Sequence, residues 1–116
     1  MKRALERLRR ICLAFPEAIE TTTFGHPTFQ AGNKRTFAVL DEAERAGVTC
    51  IAFKAPIAAQ RALVDDETFF KCKFGARHGW TSAVVSSDLD WKKMRGLLLQ
   101  SYKLVATKRM LAQLTT

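Results

Sequence analysis

Cysteine is scarce and scattered in this 116-residue chain, with Cys12, Cys50 and Cys72 standing far apart. No close cysteine pair and no Cys/His cluster has metal-ligand spacing, so neither a disulfide framework nor a zinc site is expected. Cys12 and Cys50 fall at apolar positions and read as small buried hydrophobes in a reducing cytoplasm. Cys72 lies between Lys71 and Lys73, neighbours that favour a thiolate. Histidine is scarcer still: only His26 and His78 are present. No apolar run reaches membrane-spanning length, because Lys, Arg, Asp or Glu interrupts each one. Arg7, Arg9 and Arg10 break the start of the chain where an export signal needs an apolar stretch. There is no Gly-rich phosphate loop ending in Lys-Ser or Lys-Thr, no dinucleotide fingerprint and no nucleophile elbow. Asp65, Asp66 and Glu67 read as a solvated helix end, and Asp88 and Asp90 as residues at a helix start. These absences leave no catalytic residue, metal or cofactor to assign, and a non-enzymatic cytoplasmic protein is the expectation.

What the chain has in surplus is positive charge. Nineteen Lys and Arg against eleven Asp and Glu give +8 on a length that suits one domain, residues 1–116. Such a field attracts polyanions, and binding of that kind weakens with salt.

The pattern predicts an α+β protein built around a hairpin from Lys34 to Lys54. Period two puts Phe37, Val39, Thr49, Ile51 and Phe53 on one face, with Thr36, Ala38, Leu40, Val48, Cys50 and Ala52 on the other. Both faces carry apolar residues, so helices are expected on one side and partial shielding or a partner on the other. The connection Asp41 to Gly47 is polar and ends in glycine, as a longer hairpin loop should. A first helix is expected from Lys2 to Phe15, ended by Pro16, with Leu5, Leu8, Ile11, Cys12 and Phe15 inward. Arg3, Arg7 and Arg10 form a basic ridge on another face, and Arg9 snorkels at the border. Ala18 to Phe24 reads as extended. Gly25 and Pro27 fix a turn anchored by Phe24 and Phe29, and on it His26 either closes the turn by a hydrogen bond or does chemistry.

Pro56 can start a short helix over residues 57–64. Phe69, Phe70 and Phe74 interleave with Lys71 and Lys73 before a Gly-bounded basic loop, Gly75 to Gly79. A final strand follows from Trp80 to Val85, with Trp80, Ser82 and Val84 on one side. Interleaved cations and rings suit a nucleic-acid surface, and they also suit the rim of a small core. Ser87 or Asp88 caps a long helix carrying Trp91, Met94, Leu97 and Leu98, with Lys92, Lys93 and Arg95 near its start. A short terminal helix ends the chain.

Taken together, Phe24-Gly25-His26-Pro27-Thr28-Phe29, Lys34 with Phe37-Ala38, Phe53-Lys54, Arg77-His78-Gly79-Trp80 and Ser101-Tyr102-Lys103-Leu104-Val105 resemble the MmcQ/YjbR-like family of small bacterial proteins. The resemblance runs from about Leu8 to Met110. It implies a frataxin-like antiparallel sheet packed on one face by the N- and C-terminal helices, often described as a double-wing DNA-binding architecture. His26, Lys34, Lys54, His78, Trp80, Ser101, Tyr102 and Lys108 match recurrent positions of that family. Phe70 to Phe74 is more basic than the usual form. The acidic ridge that a frataxin-like iron role uses is replaced here by a basic first helix.

Double-stranded DNA is therefore the expected partner of a monomeric chain, with Arg3, Arg7, Arg10, Lys34, Arg35, Lys54, Lys71, Lys73, Arg77, Lys92 and Lys93 as phosphate contacts. The loops of the central hairpin and around Arg77-His78 would be the wings. Contacts of this type position a duplex without reading much sequence. The alternative is a protein-binding or small-ligand module with a pocket formed by His26, Lys54, His78, Trp80 and Tyr102. A membrane-surface role would need an apolar stripe that the core already uses.

Overall fold

The computed structural model describes residues 2–42 and 47–114. The periodicity of the N-terminal segment forms α1 (Lys2–Cys12), whose Leu8 and Cys12 are fully buried while Arg3, Arg7 and Arg10 stay in solvent. The β-branched Thr21-Thr22-Thr23 run lies in β1 (Ile19–Thr23), which pairs antiparallel with β2 (His26–Gln30). Phe24 and Gly25 join them, both at positive φ (51° and 82°), the pattern of a two-residue I′ hairpin. Phe24 is 96% exposed and anchors nothing, contrary to its expected role, whereas Phe29 is fully buried.

The expected central hairpin is β3 (Thr36–Asp41) with β4 (Cys50–Lys54); residues 43–46 of its loop lie outside the described residues. After β4, Pro56 leads into α2 (Ile57–Leu63). The chain returns through β5 (Phe69–Lys71), a 3-10 turn (Ala76–His78) and β6 (Trp80–Val84). The strand order is β1-β2-β3-β4-β6-β5, antiparallel throughout. Then come α3 (Trp91–Val105) and α4 (Lys108–Ala112). The cap of α3 is Asp90, whose carboxylate accepts from the Lys93 N–H at 3.1 Å, rather than Ser87 or Asp88.

One rung of the sheet departs from the alternation. Phe29 pairs with Ala38 but Gln30 pairs with Thr36, leaving Phe37 as an extra residue in β3. The bulge lets Phe37 and Ala38 both face the helices and carries Val39 to the opposite side. The β3 face expected from strict alternation is therefore reversed relative to β4: Ala38 and Leu40 oppose Phe53 and Ile51 in the core, while Val39 opposes Ala52.

The covered face holds Phe29, Phe37, Ala38, Leu40, Ile51, Phe53, Phe69 and Ala83, packed under α1, α3 and α4. Phe15, Phe37 and Tyr102 form a ring cluster with centroids 5.2–5.9 Å apart. Ser101 ties α3 to two strands: its hydroxyl donates to Phe37 O (2.7 Å) and accepts from the Lys54 N–H (2.8 Å). Arg9 clamps α1 to β1 through both Glu20 oxygens (2.7 and 2.9 Å), so it is an ion-pair residue rather than a free snorkelling one. Glu17 accepts from Arg109 and Gln113 of the terminal segment, which holds its carboxyl below the usual range.

Candidate functional site: a basic sheet end and a hollow on the open face

The antiparallel register sorts much of the charge by strand end, although Glu17, paired with Arg109, lies against the β2–β3 turn. At one end lie the β2–β3 turn with Lys34 and Arg35, the end of β4 with Lys54, the end of β5 with Lys71, and the following loop with Lys73 and Arg77. At the other end lie Asp41 and Glu42 after β3, Asp65, Asp66 and Glu67 before β5, and Asp88 and Asp90 after β6. Of the expected phosphate contacts, Lys34, Arg35, Lys54, Lys71, Lys73 and Arg77 thus gather at the basic end. Arg3, Arg7, Arg10, Lys92 and Lys93 do not join them, because α1 and the start of α3 sit on the helix-covered side. Arg7 stacks over Trp91 at 5.4 Å and Lys93 over Phe69 at 5.2 Å, both beside the acidic end. The two expected wings also separate: the central hairpin loop leaves the acidic end, and the Arg77-His78 loop the basic one.

Local geometry explains why the Arg77 loop is fixed. Gly75 and Gly79 have φ of +78° and +96°. A Cβ on Gly79 would fall 1.9 Å from Ala55 O, and the Ala55 N–H donates to Gly79 O at 2.9 Å. Only glycine fits there. Gln60 of α2 is buried and its amide donates to Ala76 O, Trp80 O and Thr81 Oγ1 at 3.0–3.2 Å, lashing the loop to the helix. Beside it a hollow of about 450 Å³ is lined by Ile57, Gln60, Arg61, Lys71, Ala76 and Arg77. Arg61, absent from the sequence-based set, completes three cations around one concavity, and among the described residues no carboxylate lines it. A Gly-bounded loop and a buried glutamine were legible as separate features; their meeting with Arg61 was not.

The second feature is on the face without helices. Thr28, Val39, Ala52, Ser82 and Phe70 run across it as paired neighbours. Over them a hollow of about 520 Å³ is lined by Thr36, Val39, Asp41, Ala52, Cys72, Lys73, Phe74, Gly75 and Trp80. Phe74 is 81% exposed, with Lys73 Nζ 5.8 Å from its ring. His26 Nε2 lies 3.6 Å from Asp41 Oδ1, at the end of this face away from Trp80. Cys72 Sγ contacts Ser82 Oγ at 3.2 Å. Burial pushes the Cys12 thiol well above its ordinary pKa, and that residue lies on the covered side.

The pocket expected from His26, Lys54, His78, Trp80 and Tyr102 does not assemble. Tyr102 is fully buried under the opposite face, its hydroxyl donating to Pro16 O at 2.6 Å, and burial raises its pKa. His78 is exposed in the 3-10 turn. Trp80 and Lys54 are cross-strand neighbours at one end of the open face, and His26 stands beside Asp41 at the other. Among the described residues no group of three or more His, Cys, Asp or Glu could hold a metal ion, and no helix is long and apolar enough to cross a membrane.

The sequence profile of the YjbR family matches residues 13–104. The chain belongs to the YjbR family. As a YjbR protein it shares its fold with solved relatives at low identity. A Deinococcus radiodurans protein superposes with a TM-score of 0.76 at 18% identity, covering 94% of this chain and 86% of that one. A Pseudomonas syringae protein gives 0.73 at 16% identity, covering 91% of this chain and 100% of that one. No curated protein matches. The YjbR fold expected from the motifs, an antiparallel sheet under N- and C-terminal helices, is the fold observed.

Proposed function

We propose that this YjbR protein is a non-enzymatic, cytoplasmic DNA-binding protein that acts as a monomer and grips the phosphate backbone at the basic end of its sheet. The observation that carries the reading is the hollow in which Arg61, Lys71 and Arg77 meet beside a loop fixed by Gln60 and Gly79. Lys34, Arg35, Lys54 and Lys73 extend the same charge along that end, while the carboxylates at the other end keep a polyanion from settling there. A loop whose backbone is already held loses little freedom on binding, and phosphate contacts of this kind are largely indifferent to base sequence.

Titration of a fluorescently labelled duplex tests it. Binding of roughly micromolar strength at low salt should fall steeply towards physiological salt. The double variant Lys71→Glu/Arg77→Glu should weaken binding about tenfold or more, while Arg3→Glu/Arg7→Glu should change it less than about threefold. No binding at low salt, or equal losses from the two variants, rejects the basic end as the contact surface.

A further inference from the structure

The hollow beside the Arg77 turn gathers more positive charge than a passing phosphate backbone can use. Arg61 comes from α2, Lys71 from the end of β5 and Arg77 from the 3-10 turn, so three separate elements wall it. All three side chains are exposed, and among the described residues none of them makes an ion pair. Gln60, also in the wall, ties α2 to the turn by donating to Ala76 O at 3.0 Å. An internal phosphodiester presents two free oxygens and a single charge, and its strand has to continue on both sides. A phosphate monoester presents three acceptor oxygens and a charge of about −1.5 to −2 at neutral pH. Two guanidinium groups and one ammonium can meet all three oxygens, the arginines through paired N–H bonds and the lysine as a point charge. Like charges that share a hollow repel one another, and a dianion offsets that repulsion more fully than a single charge does. Ile57 lines the same hollow and is 39% exposed, an apolar surface for which a bare phosphate has no use.

We infer that this hollow takes the phosphate monoester of a nucleotide: its three terminal oxygens lie among Arg61, Lys71 and Arg77, and the sugar or base beside it rests on Ile57. The inference rests on the reading that the basic end grips DNA, and it adds that a phosphorylated strand end is held better than the middle of a duplex. The same chemistry has two sources, a strand end or a free nucleoside monophosphate.

Short duplexes labelled in mid-strand and ending in a 5′-phosphate, a 5′-methylphosphate or a 5′-hydroxyl are titrated against the protein at low salt. The phosphate end should bind about five- to tenfold tighter than the other two, because only it has the third free oxygen and the second charge. Arg61→Gln should bring the three affinities to within about twofold of one another, with a circular-dichroism melt verifying that the variant is folded. A deoxynucleoside 5′-monophosphate is then added as competitor. Displacement at concentrations similar to those of the duplex identifies a free nucleotide as the source, and displacement only at large excess identifies the strand end; either supports the monoester site. Equal binding of the three duplexes, or equal preference for phosphate and methylphosphate, overturns the inference and leaves the DNA grip standing. If no duplex binds at low salt, the DNA reading fails. The monoester site then survives only if the free monophosphate binds saturably and the nucleoside does not, and any other result overturns it too.

Discussion

The two faces of one sheet are built from the same strands and do opposite things. Beneath the helices, Phe29, Phe37, Phe53 and Phe69 interlock with Phe15, Tyr102, Met94 and Leu98, and among the described residues no buried side-chain polar atom lacks a partner. On the other face the residues one position along are Val39, Ala52, Ser82 and Trp80, smaller or only partly buried, and Val39, Ala52 and Trp80 line a hollow instead of a core. The difference teaches that one step of backbone alternation separates a face that carries stability from one that does not. Changes on the first face should unfold the molecule, and changes on the second should leave it standing.

The sharpest way to break that comparison is Phe53→Ala against Phe74→Ala. Phe53 is fully buried and meets Phe69 edge-on at 6.2 Å, so its loss should cost about 3–5 kcal/mol in urea unfolding. Phe74→Ala, on the exposed ring, should stay within about 0.5 kcal/mol. Comparable losses would mean that the open face also carries the fold. Next in size, Ser101→Ala leaves the Lys54 N–H and Phe37 O short of a partner on the covered side. It should cost about 1–3 kcal/mol, seen as a lowered urea midpoint with an unchanged slope.

The smallest effect is electrostatic. Hydrogen bonds from Arg109 and Gln113, with Arg109 the larger cause, lower the folded pKa of Glu17 below its unfolded value. The stability it supplies is therefore present above the unfolded pKa and lost as pH falls through the lowered folded one. Glu17→Gln should flatten the acid limb of a Tm-against-pH curve slightly, because the pair is solvent-exposed, and leave the neutral Tm almost unchanged. An unaltered acid limb would show that the clamp between the terminal helix and the α1–β1 link carries no net charge energy.

Much of the covered face was legible because its signals are local. The three-four spacing of Leu8, Cys12 and Phe15, the alternation of Trp80 to Val84 and the helix start at Pro56 each need only a few neighbours to read. The β3 face was not, because the extra residue at Phe37 is set by pairing with β2 and leaves no mark in the composition of β3 itself. β5 is three residues long, Phe69–Lys71, too short for a period to emerge. The cap of α3 shifted to Asp90 since Ser87, Asp88 and Asp90 are all capping types, and only the packing of Leu89 and Trp91 decides among them. As for the candidate sites, Lys71, Lys73 and Arg77 were visible as a basic cluster, but strand order determines which lysines share an end. Tyr102 was drawn into the wrong pocket because a sequence does not say on which side of a sheet a helix lies.

The fit of Gly79 against Ala55 has one more effect. The strand that leaves the middle of the sheet and the turn that presents Arg77 touch with no room for a methyl group, so neither can shift without the other. Whatever pulls on that arginine from outside is felt directly where α2 begins, and the answer comes back through Gln60 to the same loop. The molecule thus owns a small closed circuit of backbone at its positively charged edge, and Arg61 and Arg77 both branch from it.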